Sequence, residues 1–448
     1  MSKTVRIGNG CGFWGDSSDA PVRLAQTGQL DYLTLEYLAE LTLSILALQK
    51  QRDPRLGYAG DFLEVLARLA PLLADQPRLK IITNAGGMNP LACAQAAREC
   101  LDRAGLTNRR IAVVFGDDLL DRLDALLAAG HRLAHLDTGE PLSAIRPLVV
   151  SANVYLGCAP LVAALSRADV VVTGRVADAS LTVAPAVYEH GWKLDDWHRL
   201  AAATVAGHLI ECGAQVTGGL WCNGEALDLA TVGYPIADIA ADGSFTIGKP
   251  VGSGGAVNLE TVAEQLLYEV SDPARYYTPD VIADFTAVTL EQIGPDLVQV
   301  RGGRGEPAPG QWKVSIAYRD GYTAAGTLVI AGPGATAKAR RCGAIVLDRL
   351  AQAGVRPQRS LVEVLGSGDS LPGVLPQADP PEVVLRLAVA DPSRAVVERF
   401  SRELAPLVTS GPPGVTGYTT GRPVVREVFA YWPALIDRTV VQPQWQIL

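Results

Sequence analysis

What most restricts the fold of this 448-residue chain is a repeat of form: short β-branched runs that each stop at a Gly, Asn or Asp cluster and give way to a helical pattern. Val5-Arg6-Ile7 leads into GNGCGFWGD, residues 79–82 into TNAGGMNP, 111–115 into GDD, Val149-Val150 into SANVYLG, and 170–172 into TGRVADAS. Parallel strands of this kind need cover on both faces, which the intervening helices supply. Five such runs predict an α/β fold, with a parallel βα (Rossmann-like) domain over residues 1–205. Residues 33–50 carry too many apolar positions for a surface helix and read as a buried one. Residues 62–73, 90–104 and 117–129 read as covering helices.

After residue 205 the pattern changes, and 206–448 reads as an α+β domain. KVSIAY and TLVIAG flank Arg319-Asp320-Gly321, an Asp-Gly step that predicts the turn of an antiparallel hairpin. A helix at 337–353, strands at 361–365 and 383–389, a helix at 393–404 and an ordered surface loop at 411–423 follow.

Apolar residues make up 48% and charged residues 19%, which indicates a compact chain. The net charge of −8, with no dense Lys/Arg cluster, argues against nucleic acid. The opening MSKTVRIGNG does not read as a signal peptide, and the apolar stretches are too interrupted to span a bilayer, so a cytoplasmic protein without membrane contact is expected. Seven cysteines without a CxxC pair read as reduced thiols, and five histidines give little support for structural zinc.

Ligands of an open parallel sheet bind beyond the carboxyl ends of its strands. That nominates Asn9, Asp16, Asn84, Asp117, Asp118, Asn153, Arg175 and Asp178. Asp117 and Asp118 read equally as helix caps, or as a close carboxylate pair that raises one pKa or recruits a divalent cation such as Mg2+. Arg175 suits a carboxylate or phosphate, unless Asp178 holds it in an internal pair. His208, Glu211 and Cys212 share a helical face, so His208 and Glu211 form an acid/base pair or His208 is a packed residue; nothing local marks Cys212 as acidic. Lys249 with Gly252-Ser253-Gly254-Gly255 reads as a phosphate cradle or a plain turn, and its spacing fits neither the P-loop nor GxGxxG. His131 and His135 flank a helix end at Gly130 and do not read as a metal pair.

GFWGDSSDAP, LDYLTLEYLAE, TNAGGMNPLAC, VVFGDDLLDRL, SANVYLGCAP, TGRVADASLTVAP, GHLIECGAQVTGG and EQLLYEVSDPARYYTPDV resemble, in order and spacing, the acyclic terpene utilisation (AtuA) family. GPPGVTGYTTGRP and YWPALIDR resemble its closing segment, so the likeness covers essentially the whole chain. The chain departs from many relatives in its GKPVGS segment: they carry Thr before the lysine and Thr in place of Ser253, where this chain has Gly248 and Ser253. The resemblance implies a setting in the breakdown of branched acids and terpenoids, beside acyl-CoA carboxylases and hydratases. The expectation is an enzyme of lyase or hydratase type acting on an acyl-CoA. Its catalytic candidates are Asp117, Asp118, Asn84, Asp178, His208 and Glu211; its substrate-binding candidates are Asn9, Asp16, Asn153, Arg175, Lys249, Ser253 and Gly254. The alternatives are a nucleotide- or flavin-dependent oxidoreductase, against which the missing GxGxxG counts, and a scaffold subunit of an acyl-CoA-processing complex. Longer relatives continue past YWPAL into a small ferredoxin-like domain. The region near Tyr431, Trp432, Trp445 and Leu448 is therefore expected to bind a separately encoded small subunit of that fold, or a second copy of this chain in a homo-oligomer.

Overall fold

The computed structural model describes residues 4–416 and 421–448, so part of the loop expected at 411–423 lies outside the described residues. The chain forms two compact units, Met1–Ala317 with Tyr431–Leu448, and Tyr318–Ala430. Neither break falls at 205. Strands that follow that residue add directly to the sheet begun by the first strand, so the sheet is incomplete without them.

In the first unit the strands in chain order begin with β1 (Thr4–Asn9), β2 (Tyr32–Leu35), β3 (Lys80–Thr83), β4 (Ile111–Phe115), β5 (Val149–Val154), β6 (Val170–Thr173), β7 (Ile236–Ala240) and β8 (Phe245–Gly248). Five of them lie parallel in the order β1-β2-β3-β6-β4. Antiparallel strands extend both edges: β7, β8, Leu297–Arg301 and Thr289–Gly294 beyond β1, and Gln444–Ile447 beyond β4. The βα alternation of the sequence is thus present. The strand order is not that of a dinucleotide fold, since among the described residues no parallel strand lies on the far side of β1.

Three expectations are corrected here. The run at Val149-Val150 becomes β5, which pairs with the long strand Gln311–Ala331 and not with the parallel sheet. Its place is taken by β2, which the sequence reading had merged into a buried helix at 33–50. All four β2 residues are buried, as a central strand covered on both faces requires, and the helix itself is Glu40–Arg52. The helices Asp61–Asp75 and Pro90–Arg103 cover the sheet with apolar stripes, Phe62, Val65, Leu66, Leu69 and Leu73 on one and Cys93, Ala94, Ala97 and Leu101 on the other. These pack with Ile81, Ile111, Val113, Val170 and Val172 into one core. The helix expected at 117–129 is shorter, Leu123–Ala128, after a single 3-10 turn.

In the second unit Glu382–Asp391 lies between Arg359–Leu365 and the long strand, and Val415–Thr416 pairs on the latter's other side. Ala335–Gln352 and Arg394–Phe400 contribute to its core. The expected hairpin turn at Arg319-Asp320-Gly321 is absent, because KVSIAY and TLVIAG lie along one 21-residue strand. Residues Tyr322 to Ala331 pair one for one with Asp391 to Glu382, and Gly321 takes φ +83° where the strand reaches that register.

Trp432 is also a correction. It is buried, and its indole N–H donates to the Leu133 carbonyl at 2.9 Å, so it forms no exposed apolar patch with its neighbours. Trp445 sits in the edge strand paired with β4. Among the described residues no helix is long and apolar enough to cross a membrane.

A Cβ at position 321 would come within 2.7 Å of the Asp391 carbonyl oxygen, whereas one at Gly60 would meet nothing within 4 Å. Gly321→Ala is therefore expected to cost about 1–3 kcal/mol in urea unfolding, from the positive φ and the close approach. Gly60→Ala should change stability by less than about 0.5 kcal/mol.

Candidate active site

Glu36, Asn84 and Arg175 lie just beyond the carboxyl ends of the adjacent strands β2, β3 and β6, and the structure brings these three together. Asn84 donates to one Glu36 oxygen and accepts the Tyr37 N–H at 2.8 Å, while the other Glu36 oxygen accepts the Leu38 N–H at 2.7 Å. Arg175 is 2 % exposed. Its Nη1 donates to the Leu38 carbonyl at 2.6 Å, its Nη2 lies 2.8 Å from Asp178 Oδ1, and its guanidinium stacks 4.2 Å from the Tyr155 ring centre.

Asp117 and Asn153 work behind this layer. One Asp117 oxygen accepts both the Arg175 backbone N–H and the Asn153 amide at 2.8 Å, which fixes the chain as it leaves β6. Gly174 is required there, since a Cβ would lie 2.4 Å from Asp117 Oδ1. Asp118 caps the Leu120 N–H at 2.9 Å and faces Lys50 at 4.0 Å, so the two neighbouring carboxylates are directed at different partners. Among the described residues no group of three or more His, Cys, Asp or Glu is arranged to hold a metal.

Glu211 arrives from the opposite side, at the end of the buried helix Trp197–Glu211. The last carbonyls of a helix lack internal donors. Here the Asn9 side chain, at the tip of β1, donates to the carbonyls of Ile210 (2.8 Å) and Glu211 (2.9 Å), and Thr34 donates to the Asn9 oxygen at 3.0 Å. Asn9 is thus a positioning residue. His208 lies 3.2 Å from Glu211 Oε1 through Nδ1, and its Nε2 lies 2.9 Å from the Gln265 carbonyl. Burial pulls the His208 pKa down, but the hydrogen bond and charge of Glu211 outweigh it and the net shift is upward.

These residues surround two adjoining cavities. The larger, about 610 Å³, is lined by Tyr155, Arg175, Asp178, Tyr276, Tyr277, Lys313 and Leu435 among others. The smaller, about 490 Å³, is lined by Phe13, Asp16, Glu36, Leu38, Cys212, Tyr234 and Tyr268 among others. Both share Glu40, Asp178, Glu211 and Glu269, a throat of four carboxylates. Leu220 (φ +63°) and Glu269 (φ +59°) line the smaller cavity in a left-handed conformation that costs free energy and tends to mark functional sites.

The throat carboxyl groups differ in acidity. Burial, with Glu211 and Glu40 nearby, pushes Asp178 up to about 7 against the pull of Arg175. Burial and the charge of Asp178 also push Glu36 well above the carboxylate range. Burial opposes ionisation of Glu40 as well, but the Tyr155 hydroxyl, which donates to it at 2.8 Å, and the charges of Arg175 and Lys313 win, leaving Glu40 below its ordinary value. Cys212 is held as a thiol by burial and by Glu211.

Of the sequence-nominated residues, Asp16, Arg175, Asp178 and Glu211 line the cavities. Asn9, Asn84, Asp117, Asn153 and His208 are buried behind them. Lys249, Ser253 and Gly254 stand apart: Lys249 donates to the Ser253 carbonyl at 2.8 Å and pairs with Asp296 at 3.0 Å, and a Cβ at Gly254 would strike the Asp228 carbonyl oxygen. Glu36, Glu40, Tyr155, Glu269, Tyr276 and Lys313 were not nominated. Glu36 and Glu40 follow β2 in LTLEYLAE, and reading that strand as helix concealed them.

The geometry defines a mixed α/β protein with a carboxylate-ringed crevice at the carboxyl ends of its parallel strands. The family model described as acyclic terpene utilisation family protein AtuA matches residues 5–447, and the chain belongs to this family. No curated protein and no solved structure gave a match.

Asp117 makes a pH test of the scaffold. Burial, opposed by the hydrogen bonds from Arg175 and Asn153, pushes it up to about 6. A carboxyl whose folded pKa exceeds its unfolded value stabilises the fold below the unfolded value, and that contribution is lost as pH rises through about 6. The melting temperature of the wild type minus that of Asp117→Asn should therefore fall between pH 4 and 7, by the equivalent of roughly 1–3 kcal/mol. A constant difference across that range would refute the assignment.

Proposed function

We propose that this family member, with its role in acyclic terpene utilisation, is an acid/base enzyme of lyase or hydratase type acting on a branched acyl-CoA thioester. The observation that carries this reading is the pairing, in one throat, of Asp178, half protonated near neutral pH, with Glu40, ionised and held by Tyr155. Titratable groups whose environments drive their pKa values apart divide acid and base roles between them.

Both reaction types use that division in the same way. In hydration, Glu40 takes a proton from water as its oxygen adds to the β-carbon of an enoyl thioester, and Asp178 gives its proton to the α-carbon. In carbon–carbon cleavage, Glu40 takes the proton of a β-hydroxyl, the bond between the α- and β-carbons breaks, and Asp178 protonates the released α-carbon. Negative charge develops on the thioester oxygen in either case, and Arg175 and Lys313 line the same cavity as donors. The aromatic and apolar residues Tyr276, Tyr277, Pro279 and Leu435 offer a surface for a branched hydrocarbon chain.

The test is turnover of branched enoyl-CoA and 3-hydroxyacyl-CoA thioesters by the purified protein. Asp178→Asn and Glu40→Gln should each lower kcat by roughly 10²-fold or more. Because Asp178 must carry its proton, the wild-type rate should decline as pH rises through about 7, and Asp178→Asn should lack that limb. No turnover of any thioester, or a full rate in Asp178→Asn, would sink the reading.

A further inference from the structure

Beyond the two cavities lies a third depression, of about 430 Å³, lined by the segment Gly130 to Leu136 and by Gln311 and Leu435 to Asp437. It shares Leu136, Gln311 and Leu435 with the larger cavity, just as that cavity shares its four carboxylates with the smaller one. The three spaces therefore run in series, and the ring of four acidic side chains gives way along them to a lining with one guanidinium and one carboxylate. The throat end carries Glu40, Asp178, Glu211 and Glu269, whereas the depression carries Arg132, Asp437 and the imidazoles of His131 and His135, the latter accepting the Asp137 N–H through Nδ1 at 3.1 Å. Asp437, the carboxylate in its lining, already accepts the Thr439 N–H at 2.8 Å and the Thr439 hydroxyl at 2.6 Å. Arg132 donates to the Gly139 carbonyl at 3.3 Å and has no carboxylate partner among the described residues.

The segment is irregular yet fixed. Leu133 is held at φ +44°, a conformation that costs an apolar residue free energy, and its carbonyl is locked by the Trp432 indole at 2.9 Å. The Leu136 N–H donates to Pro433 O at 3.0 Å, and His135 stands edge-on to Trp432 with ring centres 4.9 Å apart. Arg132 and the two imidazoles thus stand on a backbone set in advance.

We propose that this depression binds the phosphorylated nucleotide end of a coenzyme A thioester, with the pantetheine arm crossing the saddle at Leu136, Gln311 and Leu435 so that the acyl carbons reach the carboxylate throat. The inference rests on the acyl-CoA reading and gives it a direction. Phosphates are repelled by the throat, so the anionic head has one end of the trough to occupy, and the guanidinium fork of Arg132 suits a phosphate. The saddle pairs two leucines with one amide side chain, a match for an arm made of methylenes and amides.

Calorimetric titration of the full chain with coenzyme A, adenosine 3′,5′-bisphosphate and pantetheine separates head from arm. Coenzyme A and the bisphosphate should bind the wild type, and Arg132→Glu should weaken both by at least roughly tenfold while leaving pantetheine unchanged, since a hydrogen bond to a charged group contributes about that much. His131→Ala provides a milder second variant, with an unchanged melting curve as the folding control. In kinetics, Arg132→Glu should raise KM for a coenzyme A thioester and leave both kcat and the KM of the matching N-acetylcysteamine thioester unaltered. Failure of coenzyme A to bind the wild type, or an affinity indifferent to Arg132→Glu, overturns the docking proposal, even if thioesters are turned over. Binding that depends on Arg132 with no turnover of any thioester supports the docking and removes the proposed reaction.

Discussion

The site depends on one buried cation. Arg175 carries a permanent charge on a side chain that is almost wholly buried, and burial of a charge is tolerated only when partners surround it. The Leu38 carbonyl, the Asp178 and Glu36 carboxyls and the face of Tyr155 supply them. The dependence is mutual. Without the guanidinium, Glu36, Glu40 and Asp178 would each lose the charge that favours their ionised forms, and the pKa of each would rise. A lysine would not substitute, because a point charge cannot hold the Leu38 carbonyl and Asp178 in one plane while stacking on Tyr155.

The cation stays in place because the backbone beneath it is fixed. Asp117, held by Asn153, grips the Arg175 N–H, and Gly174 leaves room for that grip. On the opposite wall Asn9 performs the same service for Glu211 by closing the end of its helix. Both devices are buried polar groups at strand ends, spent on backbone atoms and so not available to a ligand.

This arrangement explains how much of the molecule is legible in the sequence. The parallel strands announce themselves through β-branched runs, and the rule that ligands lie beyond strand ends leads to Arg175 and Asp178. The same rule also returns Asn9, Asn84, Asp117 and Asn153, because a short polar residue after a strand looks alike whether it braces the backbone or faces a ligand. The strand Tyr32–Leu35 was hidden by its own burial: apolar on both faces, it ran into the helix Glu40–Arg52 without a break in hydrophobicity, and Glu36 and Glu40 were lost with it. Tyr155, Glu269 and Lys313 reach the site from distant segments by tertiary packing, which local pattern does not encode. The Asp-Gly step at 320–321 misled for a related reason, since a glycine with positive φ serves a bend within a strand as well as a hairpin turn.

The His208–Glu211 pair shows why helical spacing alone does not assign chemistry. Spacing puts the two side chains together, but the partners beyond them decide their roles. The Gln265 carbonyl only accepts, so His208 Nε2 carries a hydrogen, and the ring, raised in pKa by Glu211, turns its other nitrogen toward that carboxylate. His208 is walled in by Tyr276 and Phe285 and does not line either cavity, whereas Glu211 lines both. Its action on the site therefore passes through Glu211. The histidine holds the Glu211 carboxylate in place at 3.2 Å, and the charge of Glu211 helps to hold the Asp178 proton at neutral pH. A residue that lines neither cavity thus acts on the site by placing a carboxylate that does.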